Sequence, residues 1–306
     1  MTSVPVRSRV WAPGRPLDLA RTTAPLRHGR GDPVAKLVGG TFWWSCRTPD
    51  GPGTLAIRAL AGEVLAEAWG AGGQRLLDGL PVLLGEGDDW SGLDVSGNRL
   101  LSEIVHRLPG VRLCRTEQVL DSLVPACLEQ RVTGTEAFRA WRELTWGYGE
   151  PAPGPAELRL WLPAEPARLR EVTSWDWHRY GVDLQRHRTI RAVATVPGRL
   201  EECVGLEPAD ARRRLRAVPG VGEWTAAETT VRALGDPDAV SVGDFHLANR
   251  VGWALAGEAR SDDARLLELL EPWRGQRARI VRLIELGAPS PPKYGPRFSP
   301  TDIRRL

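Results

Sequence analysis

Cysteine is scarce and unpatterned in this chain: four in 306 residues, Cys46, Cys114, Cys127 and Cys203, with no C-x-x-C spacing. Such a set reads as reduced, mostly buried thiols of a cytosolic protein. Tyrosine and phenylalanine are also few, three and four against thirteen tryptophans, so tryptophan must carry most of the aromatic packing. No apolar run approaches the roughly 18 residues that a membrane span needs. The opening "MTSVPVRSRVWAPGRP" has basic residues but no apolar stretch, so no signal peptide is expected. A soluble, cytoplasmic protein with no membrane partner follows as the expectation. What is present is ordinary for a folded protein: 42% hydrophobic and 26% charged residues exclude wholesale disorder. A net charge of +3 permits a nucleic-acid partner without requiring one.

The chain changes texture along its length, and no internal repeat is visible. Residues 1–35 are rich in Arg, Pro and Gly and read as extended. From 35 to about 69, "KLVGGTFWWSCRT", "TLAIRAL" and "EVLAEAWG" read as strands, with "PDGPG" (49–53) as a turn. Residues 73–85 read as partly helical, broken by Gly79 and Pro81. The pattern predicts an α+β fold: an antiparallel sheet with helices over 1–112, then an all-α domain over 113–306. In the second part Thr116 is the expected N-cap of a helix that carries Pro125 as a kink. Helices are expected near 135–147, 164–172, 182–195 and 208–218, then from the turn at 218–222 to about 234, and over 245–256 and 263–285. Residues 149–155 read as a linker and the tail "GAPSPPKYGPRFSP" as irregular.

Two helices meet across "VPGVG" (218–222). Glycines 220 and 222 can take positive φ and leave the backbone bare. One reading is a plain αα-hairpin turn that needs glycine for geometry. The other is an anion cradle, because the first-turn N–H groups of the following helix point outward without partners, with the Thr225 hydroxyl beside them. Further along, Asp244 in "SVGDFHLANRVGWAL" sits where an N-cap aspartate belongs.

These segments together resemble the helix-hairpin-helix DNA glycosylase superfamily. "LRAVPGVGEWTAAETTVRALG" is similar to its hairpin, Asp244 to its downstream aspartate, "EPWRGQRARIVRL" to its closing helix and "LVPACLEQRVTG" to its early helix-turn. The likeness covers most of 113–285. "PLDLARTTAPLRHGRGDP" and the strands after it resemble the N-terminal domain of the 3-methyladenine DNA glycosylase II branch. The resemblance implies double-stranded DNA with damaged bases as partner, a monomer, and release of a base to leave an abasic site. It assigns Asp244 as the catalytic carboxylate that stabilises positive charge growing on the sugar. Pro219, Gly220, Val221, Gly222 and Thr225 would clamp the DNA backbone. Gln130 and Arg131 would reach into the duplex, with Arg131 filling the gap left by the flipped base.

Bifunctional members carry a lysine at the position of Trp224, whose amine forms a Schiff base with the sugar. Tryptophan has no nucleophile, and Lys36 and Lys293 lie far from the hairpin, so no strand cleavage by that route is expected. Every cysteine precedes Asp244, which leaves no set for the iron–sulfur cluster of some relatives. No cofactor is expected beyond a monovalent cation, which the resemblance places on the backbone carbonyls of Arg216, Val218 and Val221. Trp224 and Phe245 are the expected aromatic walls of the base pocket. Glu228 and Arg282 depart from the family, standing where a pocket tyrosine and tryptophan occur. They are expected either to pair with each other or to leave Glu228 facing a cationic base. His246 reads as structural, and Arg274, Arg277 and Arg279 as a solvated basic face or as phosphate contacts. The altered pocket keeps open an alternative, a non-catalytic DNA-binding protein of the same fold.

Overall fold

The structure, a computed structural model, describes residues 7–292 and residue 304. Lys293 and most of the tail expected to be irregular lie outside them. Five strands form one antiparallel sheet: β1 (Arg7–Trp11), β2 (Ala35–Val38), β3 (Thr41–Thr48), β4 (Gly51–Ala59) and β5 (Val64–Trp69), in the order β1-β5-β4-β3-β2. Alternation decides its faces. Phe42, Trp44 and Cys46 of β3, Leu55 and Ile57 of β4, and Val64, Ala66 and Ala68 of β5 are buried. On the other face Trp43 and Trp69 stack with centroids 5.4 Å apart. The expected turn is a tight one, with Thr48 opposite Gly51. The first strand was hidden in the Arg- and Pro-rich opening, because "RSRVW" pairs at a sheet edge with β5 and has an exposed, polar face.

After the sheet come α1 (Gly73–Asp78), a short helix at Leu80–Leu83, and α2 (Arg99–Arg107). Gly79 and Pro81 separate the first two as expected. Next come α3 (Val119–Leu128) and α4 (Gly134–Tyr148), the second opened by a capping box between Thr133 and Glu136. Thr116 is not the cap of α3. The carboxylate of Glu201, 82 residues on, accepts the Val119 N–H at 3.1 Å and the Leu120 N–H at 2.9 Å. The expected linker contains a short strand, β6 (Glu150–Pro151), paired with β7 (Trp161–Leu162). Then follow α5 (Leu184–Val193), α6 (Pro208–Arg216), α7 (Glu223–Leu234), α8 (Leu247–Ala256), α9 (Asp263–Leu270) and α10 (Arg277–Gly287). The single helix expected over 263–285 is broken after Leu270, where Pro272 opens a 3-10 turn and Gly275 takes φ +90°.

The α+β class is as expected, but the part after residue 112 is not all-α, because the β6–β7 pair interrupts its helices. All five strands of the main sheet lie before residue 112, together with α1 and α2, and the buried core crosses that position. One apolar cluster runs from Leu19, Phe42 and Leu55 to Leu123, Ile190, Leu215 and Ala226. A second joins Leu101 of α2 to Val251, Leu266, Leu270, Ile280 and Ile284. The hairpin between α6 and α7 packs in the first core, and the loop between α7 and α8 leads from it to the second. All four cysteines are buried and unbridged. Among the described residues no helix is long and apolar enough to cross a membrane.

Candidate DNA-facing site

The hairpin is built by α6, the turn at 217–222 and α7. Gly220 takes φ +88°, and a Cβ there would lie 2.0 Å from Thr189 Oγ1, so only glycine fits. Gly222 differs from its expectation. Its φ is −92°, open to any residue, and what it supplies is an N-cap without a side chain. Pro219, Gly220 and Gly222 are exposed at the tip, while Val218 and Val221 are buried beneath it. The turn closes with the Val221 N–H donating to the Val218 carbonyl at 3.0 Å.

Thr225 and Gln130 turn inward rather than outward. Thr225 is buried, and its hydroxyl accepts from Gln130 Nε2 at 2.8 Å. The same amide donates to the Gly220 carbonyl at 3.0 Å. The pair therefore braces the hairpin against the end of α3, which corrects the expectation of a phosphate contact from the Thr225 hydroxyl. Arg131, next in sequence, is exposed and sits in the left-handed region with φ +55°. That conformation costs a non-glycine residue about 1 kcal/mol or more, and it turns the chain outward at the end of α3.

Asp244 follows Gly243, whose φ of +90° makes the bend before α8. Its carboxylate divides its work between two oxygens. Oδ1 accepts the N–H groups of His246 and Leu247 at 2.8 and 2.9 Å, closing the turn that leads into α8, whose N-cap is His246 and not Asp244. Oδ2 accepts the indole N–H of Trp224 at 3.2 Å. The turn bonds and a place at an aromatic wall thus coexist in one half-buried side chain, two residues ahead of the N-cap position expected for it. Phe245, next to it, is 79% exposed, with the His246 ring edge-on at 4.9 Å. Lys36 is engaged elsewhere, with its Nζ on the Leu158 carbonyl at 2.6 Å.

Glu228 and Arg282 have partners other than each other. One Glu228 oxygen accepts the Ser241 hydroxyl, and the other meets Arg232 Nη1 at 2.6 Å. Arg282 donates to the Arg21 carbonyl at 2.8 Å and reaches Glu285 at 3.4 Å. Arg232 is a hub that sequence gave no reason to single out. Its Nε donates to the Pro25 carbonyl, and Glu129 lies 4.0 Å away, itself 3.0 Å from His28 Nδ1. Burial works against the Arg232 charge, but Glu228 and Glu129 outweigh it and raise its pKa.

The closing helix is not a free basic face. Arg274 pairs with Glu271, and Arg277 pairs with Asp238 at 2.6 Å. Arg279 is buried against Asp88, below the Trp90 ring. Asp88 also accepts the Leu113 N–H and the Trp90 indole N–H, so it anchors the N-terminal segment to α10. Arg277 and Arg279 are therefore taken up within the protein, whereas Arg274, 67% exposed, remains a solvated surface charge. The salt bridge that Arg216 makes with Glu223 at 3.0 Å likewise crosses the base of the hairpin.

No family model matches the chain. It is 33% identical over 150 residues to the probable bifunctional transcriptional activator/DNA repair enzyme AlkA in two strains of Mycobacterium tuberculosis. That match covers 48% of this chain and 29% of the relatives, so the chain spans less than a third of their length. Among solved structures, a 3-methyladenine DNA-glycosylase from Archaeoglobus fulgidus superposes with a TM-score of 0.76 at 13% identity, over 91% of this chain and 98% of that one. The 8-oxoguanine glycosylase/lyase of Clostridium acetobutylicum gives 0.72 at 11% identity, over 94% and 100%. The sheet, the hairpin and the aspartate-bearing loop therefore stand in a known frame: this chain has the fold of the helix-hairpin-helix DNA glycosylases and, over about half its length, is similar in sequence to AlkA.

Proposed function

We propose that the protein is a monofunctional DNA glycosylase of base excision repair, acting on a damaged base, an alkylated purine being the favoured class. The observation that carries this reading is the hydrogen bond from Trp224 to Asp244, which joins an aromatic wall to a carboxylate, with no lysine beside it among the described residues. A glycosylase must first extrude its target base, because the sugar C1′ is shielded in the stacked duplex. The exposed hairpin tip at Pro219, Gly220 and Gly222 offers first-turn N–H groups of α7 to a phosphate. Arg131, held outward at its bend, enters the duplex and stacks in the gap.

Asp244 then faces C1′ with Oδ2. An alkylated purine carries positive charge, so it leaves with the bonding pair of the C1′–N bond as a neutral base. Charge moves to the sugar, where the carboxylate stabilises it. Water adds to C1′ as hydroxyl, and its proton passes to Asp244 and then to solvent. Trp224 and the exposed Phe245 supply π faces for a cationic base. A monovalent cation on the carbonyls of Arg216, Val218 and Val221 fits the donor set, because the Val218 carbonyl accepts one N–H and keeps its second lone pair. Such an ion supplies positive charge facing the phosphate.

Incubation with methylated duplex DNA, followed by hot alkali, tests the reading. Strand breaks only after alkali are the expected result. Breaks before alkali would refute the monofunctional reading. DNA binding with no base released from alkylated or deaminated duplexes would establish the non-catalytic alternative.

A further inference from the structure

Glu228 stands one helical turn after Trp224, so the two share a face of α7. Both reach the same short loop. Trp224 holds Asp244 Oδ2, and Glu228 holds the Ser241 hydroxyl. Between those points the loop is pinned by its own backbone: the Asp244 N–H donates to the Ser241 carbonyl at 3.1 Å, and the Val242 N–H donates to the Val240 carbonyl at 2.8 Å. Ser241 is thus gripped through its side chain while its carbonyl fixes the amide of Asp244. Gly243 makes the bend between them and supplies no side chain to hold the loop.

We propose that Glu228 is a positioning residue, which acts through Ser241 to hold Asp244 against Trp224, and not a contact for the base. This rests on the glycosylase reading of Asp244. Both Glu228 oxygens are already taken, one by Ser241 and one by Arg232, and the Arg232 charge neutralises the carboxylate. Little negative charge is left to meet a cationic purine. Arg232 in turn is fixed from the Pro25 carbonyl and Glu129, with its Nη1 also donating to the Glu228 carbonyl at 2.8 Å. Glu228 therefore ties the catalytic loop to the segment after the first strand and to the end of α3, the stretch that presents Arg131. The element that carries Asp244 and the element that carries the duplex plug share one anchor.

The test uses the full chain as wild type and as Glu228→Ala, Glu228→Gln and Ser241→Ala. Hydrogen exchange of the peptide spanning 239–247 is measured beside single-turnover base release from methylated duplex DNA and duplex affinity. Glutamine can accept from Arg232 through its carbonyl and donate to Ser241 through its amide, so it preserves both links. Exchange is expected to rise several-fold in Glu228→Ala and Ser241→Ala, and to stay at the wild-type rate in Glu228→Gln. Base release is expected to fall about 10- to 100-fold in the two alanine variants, the scale of a small misplacement, with duplex affinity kept and most activity restored by glutamine. Loss in Glu228→Gln equal to that in Glu228→Ala, with Ser241→Ala as active as wild type, would overturn the proposal and place the Glu228 charge on the base. A wild-type chain that releases no base would overturn the glycosylase reading instead. The exchange rates would then still decide whether Glu228 holds the loop, unchanged protection in Glu228→Ala refuting it.

Discussion

At the scale of single residues, the two oxygens of Asp244 have separable duties. The asparagine side-chain carbonyl can accept the same His246 and Leu247 N–H groups, so Asp244→Asn should leave the melting temperature unchanged. It removes the negative charge, and base release should fall about 100-fold or more while duplex binding persists. Thermal denaturation and chromatography of released bases on the same sample read both effects. Trp224→Phe keeps an aromatic wall but frees Asp244 Oδ2, and a drop of about tenfold in base release is expected from the loss of one hydrogen bond to a charged group. These two residues were legible in the sequence through the resemblance of their segments to the glycosylase hairpin and its downstream aspartate, because the local patterns alone read as a packed tryptophan and a helix cap. Glu228 was legible only as a departure. Its meaning lay with Ser241 and Arg232, ordinary residues that gain a role by meeting across a loop.

At the scale of elements, the hairpin depends on one backbone angle. Gly220→Ala demands φ +88° of a residue with a Cβ and drives that Cβ into Thr189. A cost of about 1–3 kcal/mol is expected, from strain and the displaced threonine, read as a lower urea midpoint. Duplex affinity should fall with it, more steeply than the base-release rate of the bound complex. Gln130 and Thr225 show why a motif can be found and its parts misassigned. The glycines mark the turn, but which polar side chain faces out depends on how α3 packs against α7. The start of α3 makes the same point. Thr116 has the right type and place for a cap, yet Glu201 reaches the first-turn N–H groups from a helix end far along the chain. Local signals reported where elements begin, and long-range packing decided who satisfies them.

At the scale of the molecule, two half-buried carboxyl groups in one cleft set how stability should respond to pH. Asp121 lines a cleft of about 480 Å³ between the sheet and the helices, near Trp44, Trp141 and Glu201. Burial, with Glu201 alongside, pushes its carboxyl up to about 7. An unfolded aspartate titrates near 3.9. Between those values the folded chain binds more protons than the unfolded one, so stability should fall as pH rises from about 4 to 7 and level off above. Asp121→Asn should reduce that slope, leaving the part due to Glu201, whose carboxyl burial also raises, and add about 1–3 kcal/mol at pH 8, with little change at pH 4, measured by urea unfolding at each pH. The second set of long-range ties, Arg279 on Asp88 and Arg232 on the Pro25 carbonyl, was invisible in the sequence. Both join residues about 190 or more positions apart, where no periodicity speaks.

The apolar cluster that crosses residue 112 has a consequence for how the chain is made. The last strand of the main sheet ends at Trp69, but the cluster holding Phe42, Leu55 and Ile57 is completed by residues as late as Ala233 and Leu234. At cellular synthesis rates, the ribosome needs roughly 10–30 s to add the intervening stretch. During that interval a newly made sheet waits with its inner face only partly covered, by α1 and its neighbours. The nascent chain is therefore expected to expose apolar surface midway through its own translation, and the hairpin that would grip DNA is among the last parts to close this first core.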